Sequence, residues 1–226
     1  MRIFDLRTGR SFDRSERAAI DWARSELREG HGIICPTDTV FGLIADARDP
    51  EAVANIARLK GREASTPPPV LVESVTAAQA LAGGAGAPLL AKVSDLWPCP
   101  LSVVVDVEDP LGRIINPDRA TVALRVPAIG WLRQLSQDLP LAASSANRHG
   151  RPTPVEVTEV IAEFIDFLDE QDPWLTLALD LGVAGSIAST VLDLTQQPPR
   201  VLRHGAVTCE LLRRYLTDLE CIHGGS

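Results

Sequence analysis

Lysine is almost missing from this chain. Of its 22 basic residues only Lys60 and Lys92 are lysines, and the others are arginines. Taken alone this is a compositional bias, but a retained lysine can also mark a place where a compact ammonium is needed rather than a planar guanidinium. Cysteine is sparse too. Cys35, Cys99, Cys209 and Cys221 lie far apart with no C-x-x-C pair, so neither a zinc site nor a disulfide framework is expected. His31, His149, His204 and His223 are equally scattered, which argues against a protein-bound transition metal. No apolar run approaches the ~20 residues of a membrane helix. Charges interrupt the first residues, so a signal-peptide core is missing; a cytoplasmic protein without membrane association is expected. The formal net charge of −8 excludes strong non-specific nucleic-acid binding as a main role, because such binding depends on many Lys/Arg–phosphate contacts. A local basic patch remains compatible with it. The chain contains neither G-x-x-x-x-G-K-[ST] nor G-x-G-x-x-G, so both common nucleotide-binding loops are missing. It has no H-E-x-x-H and no Ser-His-Asp signature.

What is present is an ordinary globular composition. Hydrophobic residues make up 45% and charged residues 23% of 226 residues, enough to bury a substantial core in one domain spanning 1–226. Residues 11–29 read as an amphipathic helix with Ala19, Ile20, Trp22, Ala23 and Leu27 on one face. Residues 32–35 read as a buried strand. Asp49-Pro50 reads as a helix start, with Asp as N-cap and Pro at the first helical position; that helix ends at Gly61, which places Lys60 in its last turn. Strands are expected at 69–72, 101–107, 121–126 and 141–143, and in LALDLG, STVLDLT and RVLRHG. Helices are expected around 131–135, over 155–168 and over 210–219. Two Ala/Leu-rich helices flank a GGAGAP loop, and the last six residues form a frayed tail. Strands and helices interleave at irregular spacing, which fits a mixed α/β sheet better than a strictly doubly wound one.

Polar clusters fall at strand ends and connections, where sites usually lie. Each has a plain structural reading. PTDT (36–39) can be a strand end and cap. K-G-R (60–62) can be a helix C-terminus, where cations complement the dipole and Gly supplies positive φ. S-S-A-N (144–147) can be a turn. Together they point to an anionic ligand. Lys60, Arg62, Arg125 and Arg203 supply cations, while Ser145, Asn147, Ser189 and Thr190 supply hydroxyl and amide groups. Phosphate is the natural candidate.

In this order the clusters resemble the YrdC-like family of L-threonylcarbamoyladenylate synthases. The elements are PTDTVFGL (36–43), KGR (60–62) followed by PVLV (69–72), WPCPLS (97–102), VALRVP (122–127), SSANRHG (144–150), STVLDLT (189–195) and RVLRHGAV (200–207). They run from about residue 12 to about residue 216 and suggest a short form without the extra C-terminal domain of some relatives. The resemblance implies a twisted mixed α/β sheet with flanking helices around a large concave cavity. It implies that L-threonine, bicarbonate and ATP are joined into threonylcarbamoyl-AMP with release of pyrophosphate. A separate complex then transfers the threonylcarbamoyl group to the adenosine next to the anticodon of tRNA.

By the same resemblance the K-x-R and S-x-N signatures fall on Lys60, Arg62, Ser145 and Asn147 as catalytic residues. Thr37, Arg125 and Ser189 line the threonine pocket, with Asp38 and Thr39 shaping the turn and Arg125 facing the threonine carboxylate. Lys60, Arg62, Ser102, Ser145, Asn147 and Arg203 bind ATP. Mg²⁺ comes with ATP, and no protein metal site is implied. The chain departs from the family pattern at four places. Phe41 stands where Tyr is common, Glu63 where Pro follows K-x-R, Cys99 where Gly is usual in W-P-G-P, and His149 where Ser is usual after S-A-N-x. Two other readings are carried alongside the synthase. One is a double-stranded RNA-binding or ribosome-associated module using a rim of Arg62, Arg148 and Arg151, with at most weak direct tRNA binding. The other is a paralogue with the fold but without synthase activity.

Overall fold

The structure, a computed structural model, describes residues 1–5, 14–61, 66–168, 174–180, 185 and 187–221. In chain order its elements are β1 (Arg2–Asp5), α1 (Arg14–Arg28), β2 (Gly32–Pro36), β3 (Phe41–Asp46), α2 (Pro50–Lys60), β4 (Val70–Leu71), α3 (Val75–Ala91), β5 (Leu101–Asp106), α4 (Leu111–Ile115), β6 (Thr121–Arg125), α5 (Gly130–Leu135), β7 (Leu141–Ser145), α6 (Val157–Glu163), α7 (Ile165–Leu168), β8 (Leu175–Asp180), β9 (Thr190–Asp193), β10 (Arg200–Arg203), α8 (Cys209–Arg213) and β11 (Glu220–Cys221). The strands form one sheet in the order β1-β8-β2-β3-β7-β4-β6-β5-β9-β10-β11. Pairing is mixed: β2 runs parallel to β8 but antiparallel to β3, and β5 runs antiparallel to β6 but parallel to β9. This is the mixed α/β architecture that the irregular spacing of elements suggested.

Both faces of the sheet are covered, which is why its central strands read as continuous apolar runs. Side chains alternate between two cores with the period of two that a strand imposes. In β2, Ile33 and Cys35 enter a core with Ala19, Ala23 and Leu27 of α1 and Trp131 and Leu132 of α5. Ile34 points the other way, into the larger core with Ile56 and Leu59 of α2 and Leu81 and Leu90 of α3.

Helix α2 forms as its sequence dictates. The Asp49 side chain accepts from the Glu51 and Ala52 amides at 2.9 and 3.1 Å, Pro50 follows, and Gly61 ends the helix at φ 62°. That left-handed residue costs glycine little. The stop leaves Lys60 as the last helical residue, aimed off the helix end.

Several expectations need correction. Trp22 is not on the buried stripe of α1; it is 37% exposed, donates to Glu26 and carries Arg2 over its ring. It lies at the edge of a stripe defined by Ala19, Ile20, Ala23 and Leu27. The two Ala/Leu-rich helices expected around GGAGAP are present and run together as α3 across a kink at Gly83 and Gly84, which leave the helical backbone, so the break is shorter than the expected loop. A Cβ on Gly86 would meet the Asp106 carbonyl oxygen at 2.4 Å, so small residues there let the helix close onto β5. The helix over 155–168 is two short ones broken at fully buried Phe164. The last helix stops at Arg213.

Cys209 and Cys221 form a disulfide, although the sequence suggested none. β11 pairs with β10 in parallel and carries Cys221 back to the first turn of α8. That return is a tertiary event, invisible in the cysteine spacing. Cys221 is therefore tied down, and the rest of the expected tail, 222–226, lies outside the described residues. So do residues 11–13, at the start of the first expected helix. Among the described residues no helix is long and apolar enough to cross a membrane.

Candidate active site

Seven chain segments converge on a cavity of about 210 Å³. The β2–β3 turn brings Thr37 and Thr39, and β3 brings Gly42. The edges of β4 bring Pro69 and Leu71, β6 ends in Arg125, and β7 ends in Ser144 and Ser145. The approach to β9 brings Ser189, and β10 ends in Arg203. Gly42 keeps this wall uncrowded, since a Cβ would sit 3.1 Å from Ile44 Cδ1 and 3.3 Å from the Thr37 methyl group, tight contacts that those side chains would have to relieve. The Thr37 hydroxyl closes the turn. It donates to the Val40 carbonyl at 2.7 Å, lies 2.8 Å from the Thr39 hydroxyl, and accepts from the Thr39 and Val40 amides. The cap reading of PTDT is thus correct, and the same turn forms a cavity wall.

Two guanidiniums face the cavity. Arg125 is only 5% exposed, and its Nη2 pairs with Asp38 Oδ1. The other Asp38 oxygen accepts from the Ala128 amide at 2.9 Å. The Arg125 Nη atoms lie 3.4 and 3.5 Å from the Thr39 hydroxyl, and its Nε has no partner. Burial lowers the Arg125 pKa from its ordinary value, and Asp38 opposes that shift. Arg203 donates from Nε to the Ser189 carbonyl at 3.0 Å and from Nη2 to the Ser189 hydroxyl at 2.9 Å. Its pKa is lowered by withdrawal from water and then by the charge of Arg125. Two guanidiniums on one cavity, one of them paired with Asp38, form a site whose electrostatics favour an anion chiefly on the Arg203 side. Ser102, fully buried, lies 3.1 Å from the Ser189 hydroxyl and supports it from behind.

Lys60 stands one layer back. Its Nζ donates to the Ser145 carbonyl and to the Asn147 carbonyl at 2.7 Å, with the Ser145 hydroxyl and Asn147 Oδ1 each at 3.2 Å. The Asn147 amide donates to the Arg148 and Arg151 carbonyls, and the Thr153 hydroxyl reaches Asn147 Oδ1 at 3.2 Å. The backbone amide of His149 donates to the Lys60 carbonyl. One ammonium and one carboxamide thus fix the segment that puts Ser145 on the cavity wall.

Of the residues expected from sequence, Thr37, Arg125, Ser145, Ser189 and Arg203 line the cavity. Lys60, Asn147 and Ser102 are bonded to lining residues instead. Arg62, and with it Glu63, lies outside the described residues. Sequence reasoning missed Thr66, Pro67 and Thr153 on the wall; Thr66 fell inside the KGREAST cluster, but nothing local marked it. It also gave Asp38 only a turn-shaping part and overlooked its ion pair with Arg125.

The departures from the family pattern can now be placed. Phe41 is fully buried, His149 is exposed, and Cys99 is close enough to feel both Arg125 and Asp38. Burial raises the Cys99 thiol to about 11. Two cations of the expected basic rim are already paired, Arg148 with Asp166 and Arg151 with Glu163. Among the described residues no group of three or more His, Cys, Asp or Glu is placed to hold a metal ion.

Comparison with known proteins gives these features a context. The Sua5/YciO/YrdC family model, described as "Telomere recombination", matches residues 25–205. The threonylcarbamoyl-AMP synthase of Pyrococcus abyssi is 33% identical over 212 residues, 92% of this chain and 60% of that protein. A putative threonylcarbamoyl-AMP synthase of Mycobacterium tuberculosis is 35% identical over 195 residues, 84% of this chain and 85% of its own length. The crystal structure of P. abyssi Sua5 complexed with L-threonine superposes with a TM-score of 0.83 at 31% identity, covering 98% of this chain and 63% of the other. The present chain therefore spans less than two thirds of the Pyrococcus protein. Its fold, its cavity-lining motifs and the match over residues 25–205 place it in one group: the chain belongs to the Sua5/YciO/YrdC family.

Proposed function

We propose that this chain makes threonylcarbamoyl-AMP from L-threonine, bicarbonate and ATP, releasing pyrophosphate. The observation that carries this reading is the convergence of two guanidiniums, Arg125 and Arg203, with the hydroxyls of Thr37, Ser145 and Ser189 on one cavity. Its family relatives named as threonylcarbamoyl-AMP synthases, one of them crystallised with L-threonine, support the choice of chemistry.

The reaction needs what this cavity offers. The threonine amine attacks the bicarbonate carbon, and loss of water leaves a carbamate. A carbamate oxygen then attacks the α-phosphorus of ATP, and the bond from that phosphorus to the pyrophosphate oxygen breaks. Negative charge builds on the transferring phosphorus and on the leaving group. Fixed donors and cations stabilise it, and holding three reactants together supplies much of the remaining acceleration. In this scheme Thr37, Arg125 and Ser189 hold threonine. Arg203 and Ser145 meet the nucleotide side, together with Arg62, and Ser102 acts through the Ser189 hydroxyl it holds. Lys60 and Asn147 act through the segment they fix and through the Lys60 charge behind it. Mg²⁺ belongs to the nucleotide, held by phosphate oxygens and water. The product is a mixed anhydride, suited to donate its acyl group to a tRNA adenosine in a later step by a separate complex.

The direct test is mass spectrometry of a reaction with isotopically labelled bicarbonate. Label should appear in a species with the mass of threonylcarbamoyl-AMP, and only when threonine and ATP are both present. ATP turnover that yields only AMP or ADP, with no labelled adduct, overturns the assignment.

A further inference from the structure

A buried carboxylate bonded to a cation that lines a cavity built for anions has to be explained. Asp38 is such a group. Its side chain is 5% exposed, so solvent does not screen it. Both of its oxygens are held on the protein side, Oδ1 by Arg125 Nη2 and Oδ2 by the Ala128 amide. The contact joins the β2–β3 turn to the segment after β6, and it has two consequences for a ligand. It cancels the charge of one of the two cavity cations. It also takes one corner of the Arg125 guanidinium and fixes its orientation, while the Nε–H is itself buried and without a partner. Arg203 differs: its donors meet the carbonyl and hydroxyl of Ser189, both neutral. The cavity is therefore polarised. Its Arg125 side has almost no net charge, and its Arg203 side keeps a full positive charge.

A zwitterionic amino acid suits the first side, since its overall charge is zero and it needs no surplus cation there. A polyanion such as pyrophosphate suits only the second, because on the first the Asp38 charge behind Arg125 leaves no surplus cation to offset it. We propose that Asp38 is a specificity-determining residue: by neutralising and fixing Arg125 it reserves that guanidinium for the carboxylate of a net-neutral amino acid and keeps polyanionic phosphates from occupying the same place. This deepens the synthase reading and rests on it only for the identity of the two ligands. Asp38 acts through Arg125 and is a positioning residue, not a catalytic one.

The experiment is calorimetric titration of the full chain with two probes, L-threonine and inorganic pyrophosphate, alone and in competition. In the wild-type protein the two should bind together, with saturating pyrophosphate changing threonine affinity by less than about twofold. Asp38→Asn preserves shape and removes charge. It should tighten pyrophosphate binding by about tenfold or more and make pyrophosphate compete with threonine. Asp38→Glu restores the charge and should bring pyrophosphate affinity back to within about threefold of wild type, an outcome that a purely packing role would not give. Competition already present in the wild-type protein overturns the proposal, and this arm does not depend on any variant folding. Wild-type protein that fails to bind threonine also overturns it, as does a folded Asp38→Asn protein with unchanged pyrophosphate affinity, or a Glu variant that behaves like the Asn variant. Because the readout is binding, a chain that shows this pattern yet forms no threonylcarbamoyl-AMP would sink the synthase reading and leave this one standing.

Discussion

Lys60 Nζ donates to the carbonyl oxygen of Asn147 across 2.7 Å, although the two residues are 87 positions apart. This bond joins the end of α2 to the segment after β7. It makes one of the chain's two lysines the anchor of a cavity wall. Lys60→Ala should therefore lower both activity and stability. Because Lys60 acts through the wall it fixes, letting Ser145 shift by on the order of 1 Å should cost about 10² in rate. Lys60→Arg should not rescue it, because a planar fork cannot reproduce contacts converging on one nitrogen. Lys92 is exposed at the C-cap of α3, so Lys92→Ala should leave both quantities unchanged. Initial rates beside thermal melts check this; a Lys60→Ala protein with wild-type turnover would remove Lys60 from the function.

The sequence marked Lys60 by rarity and by motif, and placed it correctly in the last turn of α2. It could not show what the ammonium reaches, because its acceptors belong to a distant strand end. The same division runs through the molecule. Local features were legible: the Asp49 cap, the Gly61 stop, and the strands that carry Arg125 and Arg203, while the strand expected at 141–143 runs on to Ser145. Properties that depend on strand order were not. The Asp38–Arg125 pair needs the β2–β3 turn and the end of β6 side by side, and the Cys209–Cys221 bond needs β11 beside β10. The exposure of Trp22 and the shortness of the break at Gly83–Gly84 were hidden for a different reason. Periodicity and glycine content each allow more than one outcome, and packing chooses between them.

Substrate choice is open to a direct check. Thr37 and Ser189 put hydroxyls on the cavity wall beside Arg125, and a site that hydrogen-bonds a substrate hydroxyl rejects the analogue lacking it, by 10⁴–10⁵ in the strongest cases and about 10² or more where pairing is partial. L-threonine should thus be preferred over L-valine by about two orders of magnitude in kcat/KM. Equal pyrophosphate release with the two amino acids would show that no such hydrogen bond is made.

Cys99 gives a pH signature. Burial holds its thiol up to about 11, so below that pH the unreactive thiol dominates, and the thiolate fraction rises about tenfold per pH unit. Alkylation of Cys99 by iodoacetamide should be slow at neutral pH and climb with near-unit slope to about pH 10. Cys35 is completely buried with its pKa raised further, so a single modification is expected. Peptide mapping after timed alkylation checks this, and a rate that levels off near pH 8.5 would contradict it.

The Cys209–Cys221 bond closes a loop of 12-residue separation. In the chain-entropy picture a loop of this size is worth about 3 kcal/mol at most. Cys209→Ser should be less stable than wild type in oxidising buffer, and added reductant should bring the wild-type protein down to the level of the variant. Denaturant unfolding reads both. Coincident curves with and without reductant would mean that the bond does not constrain the unfolded chain.

With Arg148 and Arg151 engaged by Asp166 and Glu163, and a net charge of −8, bare tRNA should bind weakly and lose affinity steeply as salt rises. Fluorescence polarisation across a salt series checks this. Tight binding at physiological salt would favour the RNA-module reading.

The most direct test of the synthase is an omission series that follows pyrophosphate release from ATP, with threonine and bicarbonate withheld singly and together. Release is expected only when both are present, and it should collapse in Arg125→Ala, which removes the buried guanidinium that faces the cavity. Pyrophosphate released at the same rate without threonine, or a wild-type rate in Arg125→Ala, would contradict the assignment of this cavity to threonylcarbamoyl-AMP synthesis.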